Sequence, residues 1–256
     1  MTESDHHAVV RQHYDQRADA YLASSVHAAG SDLDLIAGRV GEQSGAVVLD
    51  MGCGGGHVSF RLAPAVWQVV ACDLSPSMLD TVAAEVARRG LANVVTMQSA
   101  AETLPFAADS FAAVVSRYSA HHWRDLAAGI RELHRVLKPG GVAIFSDLLA
   151  PEAALLDTWL QSVELLRDPS HVRNARLAEW AQLLGAADFA IEQITTARLR
   201  LEFASWVGRT HTPDAQVQAI RTLQASASGE TRRYFDVAED GSFSVDTGVF
   251  VACKRL

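Results

Sequence analysis

The sequence predicts a doubly wound α/β fold with a mostly parallel sheet, on three observations. Ala46-Val47-Val48-Leu49 is a short apolar run that ends in Asp50 and then in alternating glycines, Gly52, Gly54 and Gly56. Short apolar runs then alternate with amphipathic helical stretches, the pattern of parallel strands joined by right-handed crossovers. Asp50, Asp73, Glu102, Arg117 and Asp147 each fall near the carboxyl end of such a run, where open α/β sheets bind their ligands.

The elements follow in order. The leader is predicted helical, with Val9, Tyr14, Ala18, Tyr21 and Leu22, then Leu33, Leu35, Ile36 and Val40, at roughly helical spacing. Val47 to Leu49 suit a buried strand, and the glycines after it remove Cβ atoms that would hold a ligand off the main chain. Trp67 to Cys72 form a second strand ending in Asp73, an acid placed to accept hydrogen bonds from ribose hydroxyls. Ser75-Pro76 starts a helix with a capping hydroxyl and a proline in the first turn, and Gly90 stops it. Asn93 to Gln98 and Phe111 to Ser116 are β-rich. Leu126, Ile130, Leu133 and Leu137 form a helical stripe closed by Pro139-Gly140-Gly141, and Val142 to Ser146 is the fifth strand. Beyond it come helices over Ala153–Leu166 and Leu177–Leu184, a strand over Ile191–Phe203, a helix over Pro213–Ala227 and a last strand over Phe243–Cys253.

Bulk properties narrow the function. A chain of 256 residues with 49% hydrophobic residues suits one elaborated α/β domain. A net charge of −8 disfavours nucleic acid as the main partner, because neutralising phosphates requires a basic face. Met1 to Asp5 lack an apolar signal core, and no stretch approaches the roughly 20 apolar residues of a membrane span, so a cytoplasmic protein without stable membrane insertion is expected. Cys53, Cys72 and Cys253 show neither a disulfide framework nor metal-ligand spacing. Cys53 and Cys72 read mainly as small buried residues, with a redox pair as the alternative. The ten histidines form no H-E-x-x-H, and no metal is expected. Asp50 sits where the pyrophosphate of a dinucleotide would lie in a G-x-G-x-x-G fold and would repel it, so the ligand should carry a cation.

Asp50, Gly52, Gly54 and Gly56 match, position for position, the acid-x-Gly-x-Gly-x-Gly motif of the class I S-adenosylmethionine-dependent methyltransferases, which the chain resembles. Ala101-Glu102-Thr103-Leu104-Pro105-Phe106, Asp109-Ser110-Phe111, His121-His122-Trp123 and Leu137-Lys138-Pro139-Gly140-Gly141 continue the resemblance. They do so in the order found in the branch that holds the ubiquinone and menaquinone C-methyltransferases, uncharacterised bacterial members included. The match runs from about Tyr14 to Asp147, with Tyr14, Ala18 and Tyr21 approximating the branch's Tyr-x-x-x-Ala-x-x-Tyr leader. It implies a Rossmann-like methyltransferase fold: a seven-stranded, mostly parallel sheet with helices on both faces, a C-terminal antiparallel hairpin, and a helical lid inserted after strand five. One methyltransferase domain is then expected over 1–256, with an N-terminal helical cover at 1–45 and a cofactor-binding core at 46–150. A lid insertion at 151–188 and C-terminal strands and helix at 189–256 complete it.

The resemblance also implies roles. S-adenosyl-L-methionine is the expected cofactor. Asp50 would take its ammonium, Asp73 its ribose, and Tyr21, Gly52, Gly54 and Gly56 would complete the loop and cover. The branch carries acids where Ala100 and Ala112 stand, so adenine recognition is expected from backbone near Ala101 and from packing against Leu74 and Met78. Glu102 reads as a cofactor contact or a solvated loop charge, and Arg117 as a cofactor contact or the ion-pair partner of a nearby acid. His121 and His171 are the candidate proton acceptors, with hydrogen-bonded packing as the alternative for each. Trp159, Trp180 and Trp206 read as helix core or as acceptor-pocket walls. The expected function is methyl transfer to a small, ring-containing or enolisable acceptor by a monomer or homodimer. A non-catalytic S-adenosylmethionine-binding sensor and a nicotinamide-dependent oxidoreductase are the alternatives; the second is opposed by Asp50 and the glycine spacing.

Overall fold

The computed structural model describes residues 5–15, 30–41 and 45–256, so the leader positions Ala18, Tyr21 and Leu22 lie outside the described residues. The parallel strands are β1 (Val47–Met51), β2 (Gln68–Asp73), β3 (Val94–Gln98), β4 (Phe111–Arg117) and β5 (Leu137–Leu149). An antiparallel pair, β6 (Phe189–Leu201) and β7 (Phe243–Lys254), completes a seven-stranded sheet of order β3-β2-β1-β4-β5-β7-β6. The helices are α1 (Asp5–Tyr14), α2 (Ser31–Gly41), α3 (His57–Leu62), α4 (Pro76–Arg89) and α5 (Leu126–Val136). After β5 come α6 (Ala154–Arg167), α7 (Leu177–Ala186), α8 (Phe203–Arg209), α9 (Asp214–Ser226) and α10 (Gly229–Tyr234). Among the described residues no helix is long and apolar enough to cross a membrane.

Successive strand residues point to opposite faces, and each face has its own core. Leu49, Val70 and Cys72 pack with Ile130 and Leu133 of α5 on one side; Val48, Val69 and Ala71 pack with Ile36, Val40, Leu79 and Val82 on the other. The order turns at β1, whose neighbours are β2 on one side and β4 on the other, and this switch point opens a crevice at the strands' carboxyl ends. Asp50 pairs in register with Ala71 and Val115, which puts it at that point. The predicted cap of α4 is present: the Ser75 side chain accepts the Met78 N–H, and Gly90 ends the helix in a left-handed conformation.

Three expectations change. The Lys138-Pro139-Gly140-Gly141 segment does not simply close a helix: Leu137 already pairs with Phe111 and Val142 with Ala113, so the segment bulges out within β5 opposite Ala112. Phe203 starts α8 instead of ending β6, because its ring turns into a third core with Trp206 and Phe243. The two inserted helices also part company. Leu156, Trp159, Leu160 and Val163 of α6 share that third core with Ile220 and Phe235, whereas Trp180 and Leu184 of α7 pack under the sheet against Phe145 and Phe250. Of the two, only α6 therefore joins the helices between β6 and β7 in the third core.

Candidate active site

The crevice holds a cleft of about 910 Å³, its open mouth included. Asp50, Gly52, Cys53, Gly54, Gly55, Asp73, Leu74, Met78, Ala101, Glu102 and Arg117 line it, and His7, Val10 and Tyr14 of α1 close it from above. Asp50 is 1% exposed and accepts the Ser59 hydroxyl at 2.6 Å, and no cation is ion-paired with it among the described residues. Burial pushes its pKa up to about 6 against that hydrogen bond, and the neighbouring Asp73 adds to the rise. Asp73 is the acid that shapes the loop: its two oxygens accept the Gly54 and Ser75 N–H groups, each at 2.9 Å.

The glycines divide by task. A Cβ on Gly52 would stand 1.8 Å from Ser119 Oγ, and one on Gly56 would stand 2.7 Å from the Phe60 ring, so both make room for protein. Gly56 caps α3 and does not line the cleft. At Gly54 a Cβ would meet nothing within 4 Å, and here the loop backbone faces open space. Leu74 and Met78 supply the apolar wall beside Ala101. Glu102 lies against the cover, its Oε2 3.5 Å from His7 Nε2 and its Oε1 accepting the Asp125 N–H at 3.1 Å. Arg117 lines the cleft but pairs with Asp32 on α2 through two nitrogens, at 2.6 and 3.1 Å. Cys53 and Cys72 are buried, and burial with Asp73 and Asp50 nearby raises both thiols, which disfavours the thiolate a redox role would use.

A second chamber of about 500 Å³ adjoins the first; Tyr14, Tyr118 and His122 line both. Its other walls are His121, Glu164, Arg167 and Arg209, with Leu148, Leu199, Leu201 and Trp206. His121 Nδ1 lies 2.6 Å from Asp147 Oδ1, and Asp147 also accepts the backbone N–H groups of His121 and Leu148. An acceptor at Nδ1 assigns the proton there and leaves Nε2 with the lone pair. Burial opposes protonation of His121, but the attraction and hydrogen bond of Asp147 outweigh it and raise the pKa. His122 is pushed down to about 3 by burial and by His121, and its Nε2 lies 2.7 Å from the Tyr14 hydroxyl. His171 lines neither chamber: its Nε2 bonds Gln161 Oε1 at 2.8 Å, and burial with His121 and His122 pushes its pKa down to about 2. Of Trp159, Trp180 and Trp206, only Trp206 lines a chamber, and Trp123 lines the first cleft. Tyr118 and Glu164 carried no sequence signal. Tyr118 holds φ at +51°, a left-handed backbone for an aromatic residue, at the point where the chambers meet.

A switch-point crevice with a glycine loop, two acids and an adjoining second chamber places the chain among the α/β enzymes that bind a ligand at the carboxyl ends of their strands. Residues 49–145 match the methyltransferase domain family model. The uncharacterized protein YafE of Escherichia coli is 50% identical over 191 residues, 75% of this chain and 92% of that protein. The uncharacterized methyltransferase YcgJ of Bacillus subtilis is 35% identical over 222 residues, covering 87% of this chain and 88% of YcgJ. The YcgJ crystal structure aligns with a TM-score of 0.84 at 33% identity over 88% of this chain and 98% of that one. A demethylmenaquinone methyltransferase of Chlorobaculum tepidum is 35% identical over 111 residues, 43% of each chain. The chain belongs to the class I S-adenosylmethionine-dependent methyltransferases.

Proposed function

We propose that this methyltransferase acts on a small ring-containing or enolisable acceptor seated in the second chamber, with His121 as the proton acceptor. The observation that carries the reading is the His121–Asp147 pair at 2.6 Å in a chamber that meets the cofactor cleft at Tyr14, Tyr118 and His122. The partial likeness to a demethylmenaquinone methyltransferase supports a ring acceptor.

The cleft fits S-adenosylmethionine on its own features. Asp50 is a buried carboxylate ion-paired with no cation among the described residues, Gly54 offers open backbone, and Leu74 and Met78 give an apolar slot. Asp50 would hold the ammonium, Asp73 the ribose, and backbone near Ala101 the adenine. When bound, S-adenosylmethionine supplies an electrophilic methyl on a sulfonium. A carboxylate against that sulfonium would stabilise the ground state more than the transition state, which argues for Asp50 at the ammonium. Val10 and Tyr14 exclude water, Tyr118 and His122 orient the acceptor, and His121 Nε2 takes the acceptor proton while Asp147 stabilises the imidazolium.

Turnover should therefore rise with pH as His121 loses its proton, with the rise centred above the ordinary histidine value of about 6.5. Asp147→Asn removes the charge that raises the pKa, so the rise should move to lower pH while turnover falls. His121→Gln should lower turnover by about 10²- to 10⁴-fold with S-adenosylhomocysteine affinity unchanged. A hydroxyarene and enol panel assayed by mass spectrometry over pH 5 to 9 reads this out, and full activity of His121→Gln would remove it as the base.

A further inference from the structure

Glu164 is a buried acid in the second chamber that the transfer chemistry does not use. It is 4% exposed, its Oε2 reaches Arg167 Nη1 only at 3.5 Å, and its Oε1 has no hydrogen-bond partner among the described residues. A buried carboxylate oxygen without a donor is unfavourable in the free protein. Burial accordingly raises the Glu164 pKa, with Arg167, His121 and Arg209 pulling the other way.

The surroundings say what would satisfy it. Arg167 is turned to other work: its Nε donates to Trp206 O at 3.0 Å and its guanidinium lies 5.2 Å over the Trp206 ring. His121 shares the chamber and lies close enough for the Glu164 charge to act on it, so one bound molecule faces both. Leu148, Leu199, Leu201 and Trp206 give that molecule an apolar bed suited to a flat ring.

We propose that Glu164 selects the acceptor, receiving a hydrogen bond from a second donor, hydroxyl or amine, that neighbours the reacting group on an aromatic ring. The acceptor class is then a dihydroxyarene or aminohydroxyarene instead of a simple phenol. This rests on the methyltransferase reading of the two chambers. A site built to meet a donor rejects the analogue that lacks it, because the buried oxygen is then left unpaired.

The test titrates the protein saturated with S-adenosylhomocysteine, by calorimetry, with 2-naphthol, 2,3-dihydroxynaphthalene and 3-amino-2-naphthol. One or both of the two-donor probes should bind at least about tenfold more tightly than 2-naphthol, and the two arms distinguish hydroxyl from amine. Glu164→Met should abolish the preference and Glu164→Gln, which keeps a carbonyl acceptor, should retain part of it. S-adenosylhomocysteine affinity should stay within about twofold of wild type in both variants, because Glu164 does not line the cofactor cleft. Equal binding of the three probes by wild type, or no binding of any, overturns the proposal without recourse to a variant. So does a preference that survives in a Glu164→Met protein still binding S-adenosylhomocysteine. Failure of wild type to bind S-adenosylhomocysteine is a separate result that removes the methyltransferase reading, and the proposal with it.

Discussion

Asp50 stands where burial works against its charge, and the sign of that effect can be measured. Its folded pKa of about 6 lies above the ordinary value of 3.8, so between those values the folded state binds more protons than the unfolded one. Stability from this group is present in acid and is lost as pH rises through about 6. Asp50→Asn keeps an oxygen for the Ser59 hydroxyl and removes the charge, so at pH 7.5 the ligand-free protein should gain up to about 3 kcal/mol. The same change should weaken S-adenosylhomocysteine binding by about one to two orders of magnitude, the worth of a charged hydrogen bond. Thermal scans with and without ligand test both; a variant that melts lower without ligand would contradict the account. Asp50 and Asp73 were legible as residues of the crevice because the motif fixes acids at two neighbouring strand ends. The Asp32 partner of Arg117 was not, since nothing in a helical Asp-Leu-Asp run says which residue on β4 it meets. Glu164 was hidden for the same reason: a glutamate in an amphipathic helix reads as a solvated charge until another core closes over it.

At the scale of elements, the loop from β1 to α3 separates a glycine that faces open space from glycines that make room for packing. Gly52 has φ of +71° and no space beside Ser119, whereas Gly54 has φ of +49° and space to spare. Gly52→Ala should therefore cost about 2 to 5 kcal/mol through overpacking and left-handed strain combined. Gly54→Ala should cost only the strain, about 1 to 2 kcal/mol, while still obstructing the cofactor. Urea denaturation of both variants decides the point, and equal losses would show that the two glycines do the same work. Their spacing was readable in the sequence, but which neighbour each one meets was not, because Ser119 and Phe60 approach from different elements. The helices after β5 carry the same lesson. Ala153–Leu166 and Leu177–Leu184 have similar apolar stripes, and only the sheet edge and the helices between β6 and β7 send α6 to the third core and α7 beneath the sheet.

Across the whole molecule, α1 ties the two chambers into one enclosure. The Tyr14 hydroxyl lies 2.7 Å from His122 Nε2 and 3.1 Å from Asp168 Oδ2, His6 Nε2 lies 3.0 Å from His122 O, and His13 lies 3.3 Å from Asp168. Tyr14→Phe deletes the first two contacts at a net cost of about 0.5 to 1.5 kcal/mol, so amide exchange over 5–14 should quicken roughly threefold to tenfold while the sheet stays protected. Unchanged exchange there would mean that the Tyr14 hydroxyl does not hold α1 in place. The alternation of apolar runs, the acid-glycine motif and the cap signals determined the sheet, its switch point and the cofactor cleft, because local pattern and chain order dictate those directly. The second chamber was decided only by the tertiary structure. His121, Asp147, Glu164 and Trp206 come from separate elements, and their meeting depends on how three cores pack around one sheet.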